Sequence, residues 1–392
     1  MVDINAPRSA GTGTAAPVLP ATMTHRSPSH IPCLDGIRAV AALMVMVFHF
    51  VGHHGEPARL VQASVIGQTG VDLFFVLSGF LITRILLLSK DSPHFFSAFY
   101  ARRALRIFPL YYAFLAVYFF LLPALFKESI PPFSTQVWSW FYLQNIPATF
   151  VSLKSSGPSH FWSLAVEEHF YFVWPLMVFL LSRRQFKCLL LATLLIPPLL
   201  RLAFISHGVG VFYFTLTRMD SIGYGAVLAV LFTEEAFRKR GILLLLRSML
   251  VGLPLILLPA FARLSGSQQI WLEVAKLSLI PAFYFSLIGF CIMDPASKWF
   301  SRLFSAPLLR WLGTISYGLY VFHPTCADFV QRWLKPSSAL VNLAACFSST
   351  ILIAYLSFRY FESPLTKLKD RFGYDVSVKN PAVRPQASAT KG

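Results

Sequence analysis

Polar and charged positions are so sparse along this chain that runs of about twenty apolar residues follow one another, separated by short polar connections. Ten runs can be drawn, at about 34–53, 67–88, 104–125, 161–181, 187–206, 211–232, 242–262, 270–293, 308–330 and 339–361. A helix rising 1.5 Å per residue needs about twenty residues to cross a hydrocarbon core of roughly 30 Å. The pattern therefore predicts an all-α polytopic membrane protein of about ten transmembrane helices. Connections after the even runs hold Lys90, Arg102 and Arg103, then Arg183 and Arg184, then Arg238, Lys239 and Arg240, then Lys298 and Arg302. Those after the odd runs hold only Arg59, Lys127, Lys154, Arg263, Arg332 and Lys335. Basic residues stay on the cytoplasmic side of short loops, so the alternation predicts that both termini are cytoplasmic.

Composition agrees, with 56% hydrophobic residues and only 13% charged. It changes the meaning of the net charge of +17. In a soluble chain that excess would suggest nucleic-acid binding, but here it lies in loops and sets topology, so no nucleic acid is expected. Residues 1–30, rich in Ala, Pro, Thr and Ser, are expected to form a disordered cytoplasmic tail. Residues 31–365 should make a single membrane domain, and 366–392 a second cytoplasmic tail. Cys33, Cys188, Cys291, Cys326 and Cys346 lack metal-type spacing, so neither a disulfide framework nor a metal site is expected. The long connection 127–160 is a candidate lid on the outer side, or a plain external loop. Trp138, Trp140 and Trp162 suit an outer interfacial belt.

Candidate chemistry begins with Arg38 and His49 in the first run. Eleven helical steps return to within roughly 20° of the starting direction, so both side chains share one face, about 16 Å apart along the axis. Ionisable groups inside a membrane are costly, which makes this face a candidate site. A snorkelling Arg and a His bonded to a neighbouring helix is the plainer alternative. Depth counted along each run puts Asp72, Glu167, Glu168, Arg218, Asp220 and His323 roughly 8–14 Å below the outer edge, with His49 near the same level. Five helices thus point to one shared polar cavity. On the inner side, Arg103 and Arg106 are one turn apart and, with Arg38, could grip an anionic ligand from the cytosol. Ser78 beside Gly79 reads as a close helix contact, with a nucleophilic serine as the lesser alternative.

Several ordered stretches make the chain resemble the acyltransferase 3 family of integral membrane acyltransferases over roughly residues 31–365. They are Leu34-Asp35-Gly36-Ile37-Arg38 through His49, Gly70-Val71-Asp72 through Ser78-Gly79-Phe80, and Arg103-Ala104-Leu105-Arg106. Phe161-Trp162-Ser163 through Glu167-Glu168-His169, Arg218-Met219-Asp220, and Ser316-Tyr317-Gly318 through His323 follow. The resemblance implies transfer of an acyl group, commonly acetyl, from cytosolic acyl-CoA to a hydroxyl of an envelope glycan, a lipid-linked saccharide or a natural product. It maps the family's Arg and His onto Arg38 and His49, its Arg-x-x-Arg onto Arg103 and Arg106, and its Glu onto Glu167. It implies a multi-pass protein of the bacterial inner membrane with no permanently bound cofactor. Some relatives carry a fused periplasmic domain; a second step needing one is expected to require a separate protein here.

On this basis Arg38, Arg103 and Arg106 are expected to bind acyl-CoA, His49 to act as general base and Glu167 to orient its imidazole. An acyl-His intermediate is the rival route. Asp72, Ser78, Arg218, Asp220 and His323 are assigned supporting roles. A proton-coupled transporter or flippase is the competing function, because the same residue types build proton relays.

Overall fold

The computed structural model describes residues 30–52, 56, 58–150, 157–234, 240–263, 270–294, 297–336 and 338–373. Of the expected tails at 1–30 and 366–392, residues 1–29 and 374–392 lie outside the described residues, whereas the start of the second continues as helical turns, Ser363–Lys367 and Leu368–Arg371. The main helices are α1 (Pro32–Phe50), α2 (Gly70–Ser89), α3 (Phe95–Ala116), α4 (Trp162–Leu180), α5 (Arg183–Ser206), α6 (Thr215–Thr233), α7 (Arg240–Arg263), α8 (Ile270–Met293), α9 (Ser316–Phe329) and α10 (Ala339–Ser357). No strand occurs among the described residues. That outcome is dictated by the solvent: hydrocarbon offers no hydrogen bonds, so each backbone must satisfy itself within one helix.

Among the described residues, seven helices are long and apolar enough to cross a membrane, namely those containing α1, α2, α3, α5, α7, α8 and α10. The protein is thus a multi-pass membrane protein. The other three expected runs, α4, α6 and α9, also form helices and carry titratable groups that are buried or half-buried. Glu167, Glu168 and His169 lie on α4, Arg218 and Asp220 on α6, and Tyr317 and His323 on α9.

Several devices fix the ends. Ser182 caps α5 reciprocally with Gln185, and Ser338 caps α10 by accepting from the Val341 N–H. Three helices lengthen through π-turns: α3 through Val117–Leu121, α9 through Val330–Leu334 and α10 through Phe358–Glu362. The two at the loop-127 end terminate in left-handed lysines, Lys127 (φ 56°) and Lys335 (φ 41°).

The tightest joint lies between α2 and α6. A Cβ on Gly79 would meet the Ile222 carbonyl oxygen at 2.0 Å, and one on Gly225 would meet the Val76 carbonyl oxygen at 2.0 Å. Helix association in membranes rests on such small residues, because lipid tails are as apolar as leucine. Gly79 therefore serves the close contact that its neighbourhood in sequence suggested. This joint is what holds Ser78, Asp72 and Arg218 at fixed positions on two helices.

The connection 127–160 is anchored at its base. Tyr111 donates to the Ser139 carbonyl at 2.6 Å, Gln144 to the Phe161 carbonyl at 2.7 Å, and Asn145 to Thr215 Oγ1 at 2.8 Å. Residues 151–156 of this candidate lid lie outside the described residues. Trp162, expected in an interfacial belt, is instead buried at the start of α4. A cation, described below, takes it there.

Gly79→Val is expected to lower the thermal midpoint of the detergent-purified protein, at a cost of about 1–3 kcal/mol or more. Ser78→Ala, one residue away, should leave that midpoint nearly unchanged; equal midpoints for all three proteins would dismiss the tight joint.

Candidate active site

The buried polar groups fall into three separate sets, and only one lines the main cavity. The first set holds the helices together. Arg218 of α6 donates to Asp72 Oδ1 of α2 at 2.6 Å, and Ser221 adds a bond to the same oxygen at 3.0 Å. The remaining Arg218 N–H groups lack hydrogen-bond acceptors, but the guanidinium carbon lies 5.0–5.8 Å from the ring centres of Phe212, Phe75 and Trp162. Those π-faces stabilise a desolvated cation and explain the burial of Trp162. Asp220, two residues on and on a different face of α6, is held by Arg201 of α5 through a two-pronged pair at 3.1 and 2.6 Å, and by Ser278 of α8 at 2.8 Å. Arg201 was not singled out in the sequence, although a fully buried arginine inside an apolar run was the available signal. Asp72, Arg218 and Asp220 do not line the cavity, so the single shared chamber expected from depth is divided.

The second set surrounds a chamber of about 90 Å³ between α1, α2, α3, α4 and α9. Ser78 Oγ donates to Glu167 Oε1 at 2.7 Å; Tyr171 Oη donates to Ser78 Oγ at 3.0 Å and lies 3.2 Å from Glu167 Oε2. Glu168 and Tyr317 share the lining, and Arg103 lies over the Tyr171 ring at 5.3 Å. Arg38, Leu81, Arg103, Arg106 and Tyr317 also border a wider vestibule of about 500 Å³. The two spaces are therefore contiguous, and these residues form the neck between them. Arg84, Arg102 and Lys369 add further cations to the vestibule, against the carboxylates of Asp35 and Glu362. Asp35 lies 3.5 Å from Arg38, whereas Arg106 is exposed to the open space. Such a surplus of guanidinium around a wet cavity fits a polyanionic ligand, since planar forks bind phosphate oxygens in pairs.

The third set sits beyond the far end of the chamber. His49 Nδ1 lies 2.9 Å from the Val45 carbonyl oxygen and 3.3 Å from His323 Nε2, whose other nitrogen lies 2.7 Å from the Tyr320 carbonyl oxygen. His160, missed in the sequence because it precedes its helix, brings its ring centre to 5.1 Å from that of His323. Tyr320 joins the sets: it lines the chamber, its hydroxyl donates to the His160 carbonyl at 2.6 Å, and it pairs with Ser163. Phe74, which also lines the chamber, brings its ring to 6.1 Å from that of Tyr320. The expected bond from Glu167 to His49 is not formed. The carboxylate is turned to Ser78 and Tyr171, because α4 presents it to α2 rather than to the end of α1.

Removing Arg218 by substitution to leucine should destabilise the protein by about 3–5 kcal/mol, the cost of orphaning buried Asp72. Glu167→Gln, which keeps its hydrogen bonds to Ser78 and Tyr171, should leave the melting midpoint near wild type. Equal stability of the two variants in a denaturation series would remove the division between scaffold pair and chamber group.

Residues 31–359 match the family described as acyltransferase domain. The chain is 31% identical over 373 residues to a peptidoglycan O-acetyltransferase, OatA, of Listeria monocytogenes, with 88% of this chain and 57% of the relative covered. It is 28% identical over 364 residues to an O-acetyltransferase OatA of Staphylococcus aureus, covering 87% of this chain and 58% of the relative. The chain therefore spans somewhat over half the length of these relatives. No solved structure matches it.

Proposed function

The chain belongs to this acyltransferase family, and from that premise we propose that it is a membrane O-acetyltransferase that takes its acyl group from acyl-CoA and passes it to a hydroxyl of an envelope glycan. The carrying observation is the arginine-lined vestibule opening directly into the chamber that holds Glu167. The basic loops support the orientation in which this vestibule faces the cytosol and both termini are cytoplasmic, in the bacterial inner membrane. His30 and Lys369, near the two ends of the described chain, both border it.

In this scheme the phosphates of acyl-CoA meet Arg106, Arg103 and Arg38, with Arg84, Arg102 and Lys369 completing the cationic wall. The pantetheine arm passes the neck and brings the thioester beside Ser78, Glu167 and Tyr171. The acceptor arrives from the opposite face. His49 takes the proton of the acceptor hydroxyl as its oxygen attacks the thioester carbonyl, and the carbon–sulfur bond breaks to release coenzyme A thiol. His323 orients His49, and Phe74 with Tyr320 must part for the two substrates to meet. Glu167 acts through Ser78 and Tyr171, fixing the chamber wall and balancing Arg38 and Arg103. The glycan preference is supported by the similarity to the peptidoglycan O-acetyltransferase of Listeria. The transporter alternative has lost its support with the family assignment.

The test is release of free coenzyme A from labelled acetyl-CoA by the purified full chain with a glycan acceptor. His49→Ala should cut turnover by about 10²–10⁴-fold, the usual share of a general base, without loss of melting temperature. Near-normal turnover would remove His49 from the chemistry. Arg103→Ala with Arg106→Ala should raise the apparent KM for acetyl-CoA by roughly tenfold or more, from charge-assisted bonds of about 1.5–3 kcal/mol each. An unchanged KM would leave these arginines with topology alone.

A further inference from the structure

The seam between α3 and α9 runs through the whole thickness of the molecule. Near the vestibule it supplies Arg103, Arg106, Tyr317 and Tyr320 to the chamber, and Tyr317 donates to the Ile107 carbonyl across it at 3.0 Å. Midway it is shut by Phe114 against Phe322, ring centres 5.7 Å apart. At the other end it opens again into a separate groove of about 240 Å³ that nothing above has used.

That groove has an unusual lining for the end of a membrane helix pair. Tyr118, Phe126 and Trp333 supply aromatic surface, and Glu128, Asp328 and Arg332 supply charge. Trp333 is held between Phe126 and Phe329, with ring centres 6.0 and 6.2 Å away, yet remains 59% exposed. Arg332 bonds Glu128 at 2.8 Å and lies over the Phe126 ring at 5.1 Å, so the polar rim is fixed relative to the rings. One wall is the π-turn Val117–Leu121 with the following turn Leu122–Phe126, the other the π-turn Val330–Leu334, and left-handed Lys127 and Lys335 end them. Single π-turns occur often where a helix is reshaped for a ligand. A simple lipid-facing end would need neither a fixed ion pair nor carboxylates among its aromatics.

We propose that this groove is a saccharide-binding subsite, taking a pyranose unit of the acceptor glycan while the reacting hydroxyl lies farther down the seam. A pyranose ring presents an apolar C–H face and a girdle of hydroxyls. Flat aromatic surface buries the first, and carboxylate oxygens and guanidinium N–H groups satisfy the second. The groove rests on the proposed transfer to a glycan, and it locates that specificity on Trp333 and Phe126 rather than in the catalytic chamber.

The test uses the detergent-purified full chain and calorimetric titration with cellotetraose and chitotetraose. The wild type should bind at least one of them saturably. Trp333→Ala and Phe126→Ala should each weaken that binding tenfold or more, while Trp333→Phe, which keeps a ring and controls for folding, stays within about threefold of wild type. Absence of binding to both sugars, or equal binding by the alanine variants, overturns the subsite. An altered preference for anionic over neutral lipid in nanodiscs, without a change in sugar binding, overturns it in favour of a headgroup site. Coenzyme A release from acetyl-CoA in the presence of a glycan acceptor is measured on the same samples. Absence of that signal in the wild type counts against the proposed reaction, whereas the titration judges the groove independently.

Discussion

An ionised side chain in a hydrocarbon slab is tolerated only where a partner or water meets it, and that constraint organises this structure. Two arginines, Arg218 and Arg201, are fully buried, and each is met by an aspartate from another helix. These pairs connect α2 to α6, and α6 to α5 and α8. Their net stabilisation is small compared with an apolar substitute of the same shape, but losing one partner is expensive. They therefore act as specificity devices, forbidding any packing in which α6 turns away from its neighbours. The glycine contact between α2 and α6 requires such a fixed register, since a small rotation would press side chains into backbone.

The other arginines obey the same constraint in the second way. Arg38, Arg103 and Arg106 face contiguous wet cavities, and the nearby carboxylate of Asp35 is 3.5 Å from Arg38 alone. Water carries the cost until a polyanion arrives. Binding such a ligand replaces water at a site already shaped for phosphate, so little reorganisation opposes it. Structural and ligand-facing arginines are thus separated by whether a carboxylate or a cavity completes their coordination.

Much of this could be read in the chain beforehand, and the failures share one physical origin. The apolar runs located each long helix, because span length follows from membrane thickness. The shared face of Arg38 and His49 followed from helical periodicity, and Arg103 and Arg106 lie in the neck where their one-turn spacing suggested. Counting 1.5 Å per residue, however, yields depth and leaves azimuth undetermined. Asp72, Glu167, Arg218 and His49 looked like one layer of one cavity, whereas the structure turns them toward three different neighbours. The same blindness hid Arg201, the partner of Asp220, and His160, which reaches the histidine cluster from outside its helix.

The placement of Phe74 and Tyr320 beside the chamber gives the separation of chamber and histidines a chemical sense. A thioester held in a wet, cation-lined chamber is exposed to hydrolysis if an activated base stands beside it. In the proposed scheme the rings of Phe74 and Tyr320 stand between the imidazole and the thioester, so base and donor do not meet until those rings move. Excluding water from the reacting atoms, rather than adding another catalytic group, is the advantage of such a layout. Tyr320 is suited to couple the two compartments. Its ring lines the chamber, its hydroxyl reaches the His160 carbonyl, and its own carbonyl meets His323. Motion of this one side chain therefore changes the surroundings of donor and base together, and it sits on the seam that leads outward to the aromatic groove.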